Sequence, residues 1–102
     1  TYIGDGTTSQ TINCNFTTGI KFLMIKAVDD MGDWNYWDNK RGITSGDEST
    51  LSFNLTDPED INDYITPTLN GFTVNDIGIS SIYHNTQDVT YLYFAIAAEG
   101  TL

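Results

Sequence analysis

The chain has few residues of the kinds that build metal centres and covalent cross-links. Its 102 residues include one cysteine, Cys14, and one histidine, His84. A single cysteine cannot form an intrachain disulfide, and one cysteine with one histidine falls short of the ligand set of a structural zinc ion. We therefore expect Cys14 to be a small, buried or half-buried apolar residue and His84 to lie on the surface.

Basic residues are also scarce. Four lysines and arginines stand against 14 aspartates and glutamates, which gives a formal net charge of −10. An acidic surface repels phosphate groups, so the composition argues against nucleic acid as a partner and against binding to anionic membranes. No apolar run approaches the length of a membrane span, and no signal peptide is visible, so we expect no membrane insertion.

Long helices are absent from the sequence pattern. No apolar periodicity of 3.6 residues persists over three turns. Pro58 and Pro67 exclude a long helix from the polar stretch 54–68. Residues 57–65, "DPEDINDYI", are the one stretch that could form a short helix, with Pro58 at its first position; the alternative is a loop.

The residues that are present are typical of β-structure. Aromatic residues make up 13% of the chain, and threonine, serine, asparagine and glycine dominate its polar part. Short apolar stretches between turn clusters predict strands at 9–16, 19–28, 33–38, 50–53, 70–80 and 89–98. We predict one domain over residues 1–102: an all-β, jelly-roll-like antiparallel β-sandwich of six to eight strands with at most one short helix.

The stretch 19–28 reads as a central strand. Alternation places Ile20, Phe22 and Met24 on one face and Leu23, Ile25 and Ala27 on the other. Because both faces are apolar, we expect another layer to cover the strand on each side.

The last predicted strand has the same two-sided character. Val89, Tyr91 and Tyr93 fall on one face, and Leu92, Phe94 and Ile96 fall on the other. An uncharged run of this kind at an open edge would recruit a neighbouring chain. We therefore favour a central position for it; pairing with another copy is the alternative.

Both tryptophans of the chain lie in residues 32–42, "GDWNYWDNKRG". Alternation puts Trp34 and Tyr36 on one face of a strand and Trp37 on the other. We favour an architectural interpretation, in which one tryptophan anchors the core.

A carboxylate would complete that architecture. Asp33 or Asp38 would pair with Arg41 across a turn, since a guanidinium group binds a carboxylate through two parallel hydrogen bonds.

The alternative for this segment is a glycan-binding site. Aromatic rings beside carboxylates and amides bind sugars, because the C–H face of a pyranose stacks on a ring while its hydroxyls meet polar groups. Tyr36, Trp37 and Tyr83 are the candidate contacts.

The acidic residues do not predict an enzyme. A glycosidase needs two carboxyl groups that face each other across a cleft. The glutamates Glu48, Glu59 and Glu99 lie in apparent turns or at the chain end, and about 100 residues leave little room for a cleft.

Calcium is the alternative use of the acidic residues. Two groups supply dense carboxylate oxygens: Asp29, Asp30 and Asp33, and Asp57, Glu59, Asp60 and Asp63. Neither group has the spacing of an EF-hand loop. We favour solvated loop acids and no cofactor.

Five segments in order resemble a small β-rich domain of tailed bacteriophages that is common in predicted tail-fibre and other virion proteins. They are "YIGDGTTSQTI", "IKFLMIKAVDDMGDWNYWDNKRG", "LSFNLTDPED", "LNGFTVN" and "VTYLYFAIAAE". The resemblance covers nearly the whole chain. It departs from the family at "CNFTTGIK", which lacks the proline that the family has before its second strand.

The resemblance implies a non-enzymatic structural protein of a tail fibre, tail appendage or capsid surface. Its partners would be copies of itself and other virion proteins, and its location the virion, the surface of an extracellular particle. The polar loops 39–48, 54–68 and 80–88 would face outward. The alternatives are a lectin-like module that binds host surface glycan and a subunit of an extracellular filament.

The chain ends suggest a repeated unit. The chain begins at Thr1 rather than methionine, so we expect it to be processed or excised from something longer. Its last residues placed before its first give "YFAIAAEGTL–TYIGDG", which is similar to a repeat junction of the phage family. The hypothesis that follows is one unit of a tandem array or of a head-to-tail polymer.

Overall fold

The computed structural model describes residues 1–30, 32–43, 46, 48–56, 58–76 and 84–98. In these ranges it contains nine strands and no helix, and hence no helix that is long and apolar enough to cross a membrane. The strands are β1 (Tyr2–Ile3), β2 (Ser9–Asn13), β3 (Ile20–Ala27), β4 (Asn35–Asp38), β5 (Glu48–Ser52), β6 (Asp60–Asn62), β7 (Ile65–Pro67), β8 (Gly71–Asn75) and β9 (Thr90–Ala97).

The strands form two antiparallel sheets. The larger has the order β1-β9-β3-β4-β5-β6, and the smaller has the order β2-β8-β7. The all-β sandwich prediction is confirmed. The described residues hold nine strands rather than six to eight, because β1, β6 and β7 span only two or three residues each and leave no alternating pattern in the sequence.

The core lies between the two sheets. Leu23, Ile25 and Trp37 of the larger sheet and Phe72 and Val74 of the smaller are fully buried. Along β3 and β8 these buried residues alternate with less buried ones, so each of the two strands turns one apolar face toward the other sheet. We call the side of the six-stranded sheet that faces this core its inner face, and the opposite side its outer face.

The short helix considered for residues 57–65 does not form over the described positions, and the loop alternative holds only at 58–59 and 63–64; Asp57 lies outside the described residues. Asp60 to Asn62 pair with β5, and Ile65 begins a strand that pairs with β8. The local sequence permits a helical turn here. Pairing with β5 and β8 instead gives the backbone N–H and C=O groups hydrogen-bond partners in neighbouring strands.

Glu48 accounts for the path of this segment. We expected it in a turn, but it lies in β5 and is 2% exposed. Its Oε1 accepts the backbone N–H groups of Tyr64 at 2.8 Å and of Ile65 at 2.7 Å. The carboxylate of one sheet thus takes up two backbone donors at the start of β7 in the other sheet.

The expected two-sided cover of β3 is also wrong. A β-bulge between Ile20 and Phe22 turns Ile20 toward the core with Leu23, whereas alternation had placed it with Phe22. Phe22 and Met24 lie on the outer face and are half-buried. Phe94 beside them is exposed, and none of the residues that the structure describes forms a second layer over this part of the outer face.

His84 is buried, which corrects the prediction of a surface histidine. It is 2% exposed and lies 5.2 Å from the Trp37 ring and 6.2 Å from the Tyr64 ring. Its Nε2 is 3.1 Å from Nδ2 of Asn35. Burial lowers the pKa of His84 to about 3, so the imidazole is neutral at neutral pH.

Candidate interaction surface

A tight turn follows β4 and is held by Asp38. Its Oδ1 accepts the backbone N–H groups of Lys40 at 3.0 Å and of Arg41 at 2.8 Å. Its carbonyl oxygen accepts the N–H groups of Gly42 and Ile43, both at 3.1 Å. Gly42 has a φ of +102°, which a residue with a side chain rarely adopts, so glycine suits the exit of the turn.

Arg41 pairs with Asp38 and not with Asp33. Its Nε donates to Oδ2 of Asp38 at 2.9 Å. Burial opposes ionisation of Asp38, but the hydrogen bonds and charge of Arg41 outweigh it and lower the pKa of that carboxyl. Asp33 instead accepts a hydrogen bond from the side-chain amide of Asn54 at 3.0 Å, so the two aspartates of the motif have different partners.

The arginine also connects the turn to its neighbours. Its guanidinium lies 3.4 Å from the carbonyl oxygens of Tyr36 and Ser49 and 3.4 Å from Oε1 of Glu59. Its Cζ lies 4.9 Å from the centroid of the Tyr36 ring. A planar cation over an aromatic face is held by the ring quadrupole, so Arg41 fixes one side of Tyr36.

The two tryptophans have different roles. Trp37 is 0% exposed, and its Nε1 donates to Oγ1 of Thr50 at 2.6 Å. A ring enclosed in this way cannot stack on a sugar, so the predicted glycan contact at Trp37 is wrong. Trp34 is half-buried, and its backbone pairs with Phe53 and Asn54. The third predicted contact, Tyr83, lies outside the described residues.

Tyr36 belongs to a row of four aromatic rings on the outer face. It stacks on Phe53 with the centroids 4.0 Å apart and lies 6.2 Å from Phe22. Phe22 in turn lies 6.3 Å from Phe94. The row, which we call the aromatic strip, therefore crosses the sheet from the end of β5 through β4 and β3 to β9.

The aromatic strip is open to solvent at both ends. Phe53 is 57% exposed and Phe94 is 55% exposed. Leu92 and Ile96 flank Phe94 on the same face of β9 and are exposed as well. Single exposed apolar residues are ordinary, but a contiguous apolar row is typical of an interaction site.

Sequence reasoning found one member of the strip, Tyr36, and missed Phe22, Phe53 and Phe94. The signal was present in the alternation, since Phe22 and Phe94 each lie on the second apolar face of a strand. We interpreted those faces as covered by another layer. They would have indicated a surface if only one side of the sheet had been assumed to carry a second sheet.

The candidate calcium ligands that the structure describes do not come together, and Asp57 lies outside the described residues. Within the described ranges, no three aspartate, glutamate, histidine or cysteine side chains are placed to hold a metal ion. Asp29 accepts the backbone N–H of Thr90 at 3.0 Å, and Asp60 accepts a hydrogen bond from Asn62 at 2.7 Å. These carboxylates fix local backbone and loop geometry.

Comparisons with family models, with curated proteins and with solved structures found no match for this chain. The likeness to phage virion domains therefore rests on the five sequence segments alone.

Proposed function

We propose that the protein is a non-enzymatic structural protein of a tailed-phage virion, located in a tail fibre, tail appendage or capsid surface. It acts by associating with copies of itself and with other virion proteins and by displaying its loops. The aromatic strip is the observation that carries the association, and the resemblance of the five segments supplies the setting.

The composition of the strip favours a protein partner. Aromatic residues and arginine are enriched at the centres of protein interfaces, where they contribute most of the binding energy. The strip consists of four aromatic rings with Arg41 at its rim. A partner that covered Phe53 and Phe94 would remove their apolar surface from water.

Net charge sets the conditions for association. Copies with a charge of −10 repel one another at long range, and salt screens this repulsion within a Debye length of about 8 Å at physiological ionic strength. The four rings themselves are uncharged. Self-association through them should therefore strengthen as salt is added.

Sedimentation velocity over a range of protein and salt concentrations tests the association. We expect the wild-type chain to form oligomers, and Phe53→Lys or Phe94→Lys to shift it toward the monomer. Leu69→Lys is the matched control, because Leu69 is 68% exposed but lies in the turn between β7 and β8 of the other sheet. A wild-type chain that stays monomeric at millimolar concentration and high salt would contradict self-association.

The virion setting has its own test. An antibody raised against the folded protein should label intact phage particles in negative-stain electron microscopy. Labelling of an extracellular filament instead would favour the filament subunit, and absence of labelling from particles would remove the virion assignment.

A glycan-binding module is the second candidate, favoured by the stack of Tyr36 on exposed Phe53 with Arg41 beside it. Such a platform offers a ring face and a planar hydrogen-bond donor to a sugar. A glycan array would support this function if specific binding were lost in Phe53→Ala and kept in Leu69→Ala. Binding that is unaffected by Phe53→Ala would exclude this platform.

A further inference from the structure

One edge of the six-stranded sheet is only partly occupied. β9 pairs with β3 from Tyr91 to Ala97, whereas β1 pairs only with Thr90 and Tyr91. On the side away from β3, the stretch 92–97 has no strand partner among the described residues.

The backbone polar groups at this edge can be assigned from two hydrogen bonds. The carbonyl oxygen of Thr90 accepts the backbone N–H of Val28 at 2.8 Å, so the backbone polar groups of Thr90 point toward β3. The carbonyl oxygen of Val89 accepts the backbone N–H of Gly4 at 2.9 Å, so those of Val89 point toward β1. Successive residues of a strand direct their N–H and C=O groups to opposite sides. The groups of Tyr93, Ala95 and Ala97 therefore point out of the open edge.

The two edges of this sheet are protected to different degrees. β6, at the far edge, contains Asp60 and is flanked by Glu59 and Asp63, and acidic side chains deter pairing between edges. The stretch 92–97, "LYFAIA", has no charged residue and no proline. In a chain of net charge −10, it is a strand edge where two copies can meet without placing like charges opposite each other.

We propose that the open β9 edges of two copies pair antiparallel about a two-fold axis, with Ala95 opposite Ala95 of the second copy. The partner is thus a second copy of this chain, and the proposal rests on self-association as the proposed function. The pairing would join two six-stranded sheets into one continuous sheet and two aromatic strips into one outer face.

The register follows from two constraints. Directly opposite residues of an antiparallel pair lie on the same face, so an inward residue must oppose an inward residue. β1 already occupies the positions opposite Thr90 and Tyr91, and Thr1, which precedes β1, comes next opposite Leu92, so the incoming strand can reach no further than the position opposite Tyr93. Centring on Ala95 satisfies both constraints and uses all three residues whose polar groups face the edge.

The side chains are complementary in this register. Tyr93 lies opposite Ala97 of the second copy, which sets a large ring against a small side chain. Phe94 lies opposite Ile96, and such aromatic–aliphatic pairs stabilise antiparallel strands. The Ala95 pair and the two Tyr93–Ala97 pairs each exchange two backbone hydrogen bonds. An interface limited to one strand edge is small, so we expect a weak, micromolar dimer.

Disulfide trapping tests the register. In a Cys14→Ser background, purified Phe94→Cys and Ile96→Cys chains are mixed and oxidised. The two positions form a non-hydrogen-bonded pair with Cα atoms about 4.5 Å apart, within reach of a disulfide. We expect a cross-linked dimer in the mixture and little in either variant alone, because identical positions are offset by two residues and lie roughly 8 Å apart.

Ile61→Cys is the matched control for the cross-link. Ile61 is 60% exposed and lies in β6 at the opposite edge of the same sheet, so it should give no cross-link above the random background. Equal cross-linking in the mixture and in each single variant, or none in the mixture, would overturn the proposed pairing.

A second measurement separates this pairing from the proposed function. Ile96→Lys should raise the dimer dissociation constant at least about tenfold, because it places a charge opposite Phe94, while Ile61→Lys should leave it unchanged. Circular dichroism checks that both variants fold. If sedimentation depends on Phe53 but the mixture does not cross-link, edge pairing is wrong and self-association stands. If the wild-type chain is monomeric throughout, both fail.

Discussion

The two faces of the six-stranded sheet are both rich in aromatic residues, yet only the inner face encloses its rings. On the inner face, Trp37 donates a hydrogen bond to Thr50 and lies against His84. On the outer face, Phe53 and Phe94 have no polar atoms and are more than half exposed. The comparison teaches that aromatic content does not identify a core; enclosure and hydrogen-bonding partners do.

Truncation of the inner tryptophan gives the largest expected contrast between the faces. Trp37→Ala should lower the free energy of unfolding by about 3–5 kcal/mol, because it empties a fully enclosed volume and leaves Thr50 without its donor. Urea denaturation followed by circular dichroism measures the change. A loss below about 1 kcal/mol would show that the inner face is not the core of this fold.

Glu48 tests whether the inner face depends on its buried polar contacts. Glu48→Ala should cost about 2–4 kcal/mol, because two buried backbone N–H groups, of Tyr64 and Ile65, lose their acceptor. Glu48→Gln is the control, since its amide oxygen can still accept both hydrogen bonds. Equal losses in the two variants would mean that the charge of Glu48 matters more than its acceptor geometry.

His84 makes the inner face sensitive to acid. Its folded-state pKa is about 3 against an ordinary value of 6.5, so below pH 6.5 the unfolded chain binds a proton that the folded chain does not. Stability should therefore fall as the pH is lowered, approaching about 1.4 kcal/mol for each pH unit below about 6.

Unfolding free energies at pH 7 and pH 5 measure this loss. His84→Gln should show a shallower dependence on pH over that range. The carboxyl of Asp38 contributes at lower pH, because its pKa is depressed and its stabilising effect is lost only as the pH falls through that value. Equal slopes for the wild type and His84→Gln would contradict a neutral, buried histidine.

The outer face should show the smallest effect on stability. Phe94→Ser removes a ring that is 55% exposed, so the free energy of unfolding should fall by only about 1 kcal/mol under conditions where the chain is monomeric. Thermal and urea denaturation at low protein concentration measure it. A loss similar to that of Trp37→Ala would mean that the outer face is part of the folded core, and the contrast between the faces would disappear.

The sequence predicted the parts of the fold that depend on local alternation. It located β3, β4 and β9 and the faces of Tyr36 and Trp37. It missed β1, β6 and β7, because two or three residues carry no pattern and their strand character comes from partners far along the chain. Pairing of Tyr2 with Tyr91, for example, joins residues at opposite ends of the sequence.

The candidate surface was less predictable than the fold for a related reason. The stack of Tyr36 on Phe53 depends on the register of β4 and β5, in which Tyr36 opposes Leu51 and Phe53 lies on the adjacent diagonal. The burial of His84 depends on Trp37 and Tyr64, which reach it from two other parts of the chain. Neither arrangement follows from neighbouring residues.

The Glu48 carboxylate also determines where this protein could carry a foreign peptide. Because Glu48 accepts the backbone N–H groups of Tyr64 and Ile65, a peptide inserted near those residues would break these buried hydrogen bonds. Leu55 and Thr56, between β5 and β6, are exposed. Lengthening a surface loop costs little conformational entropy, so an epitope inserted between these two residues would be displayed while both sheets keep their registers.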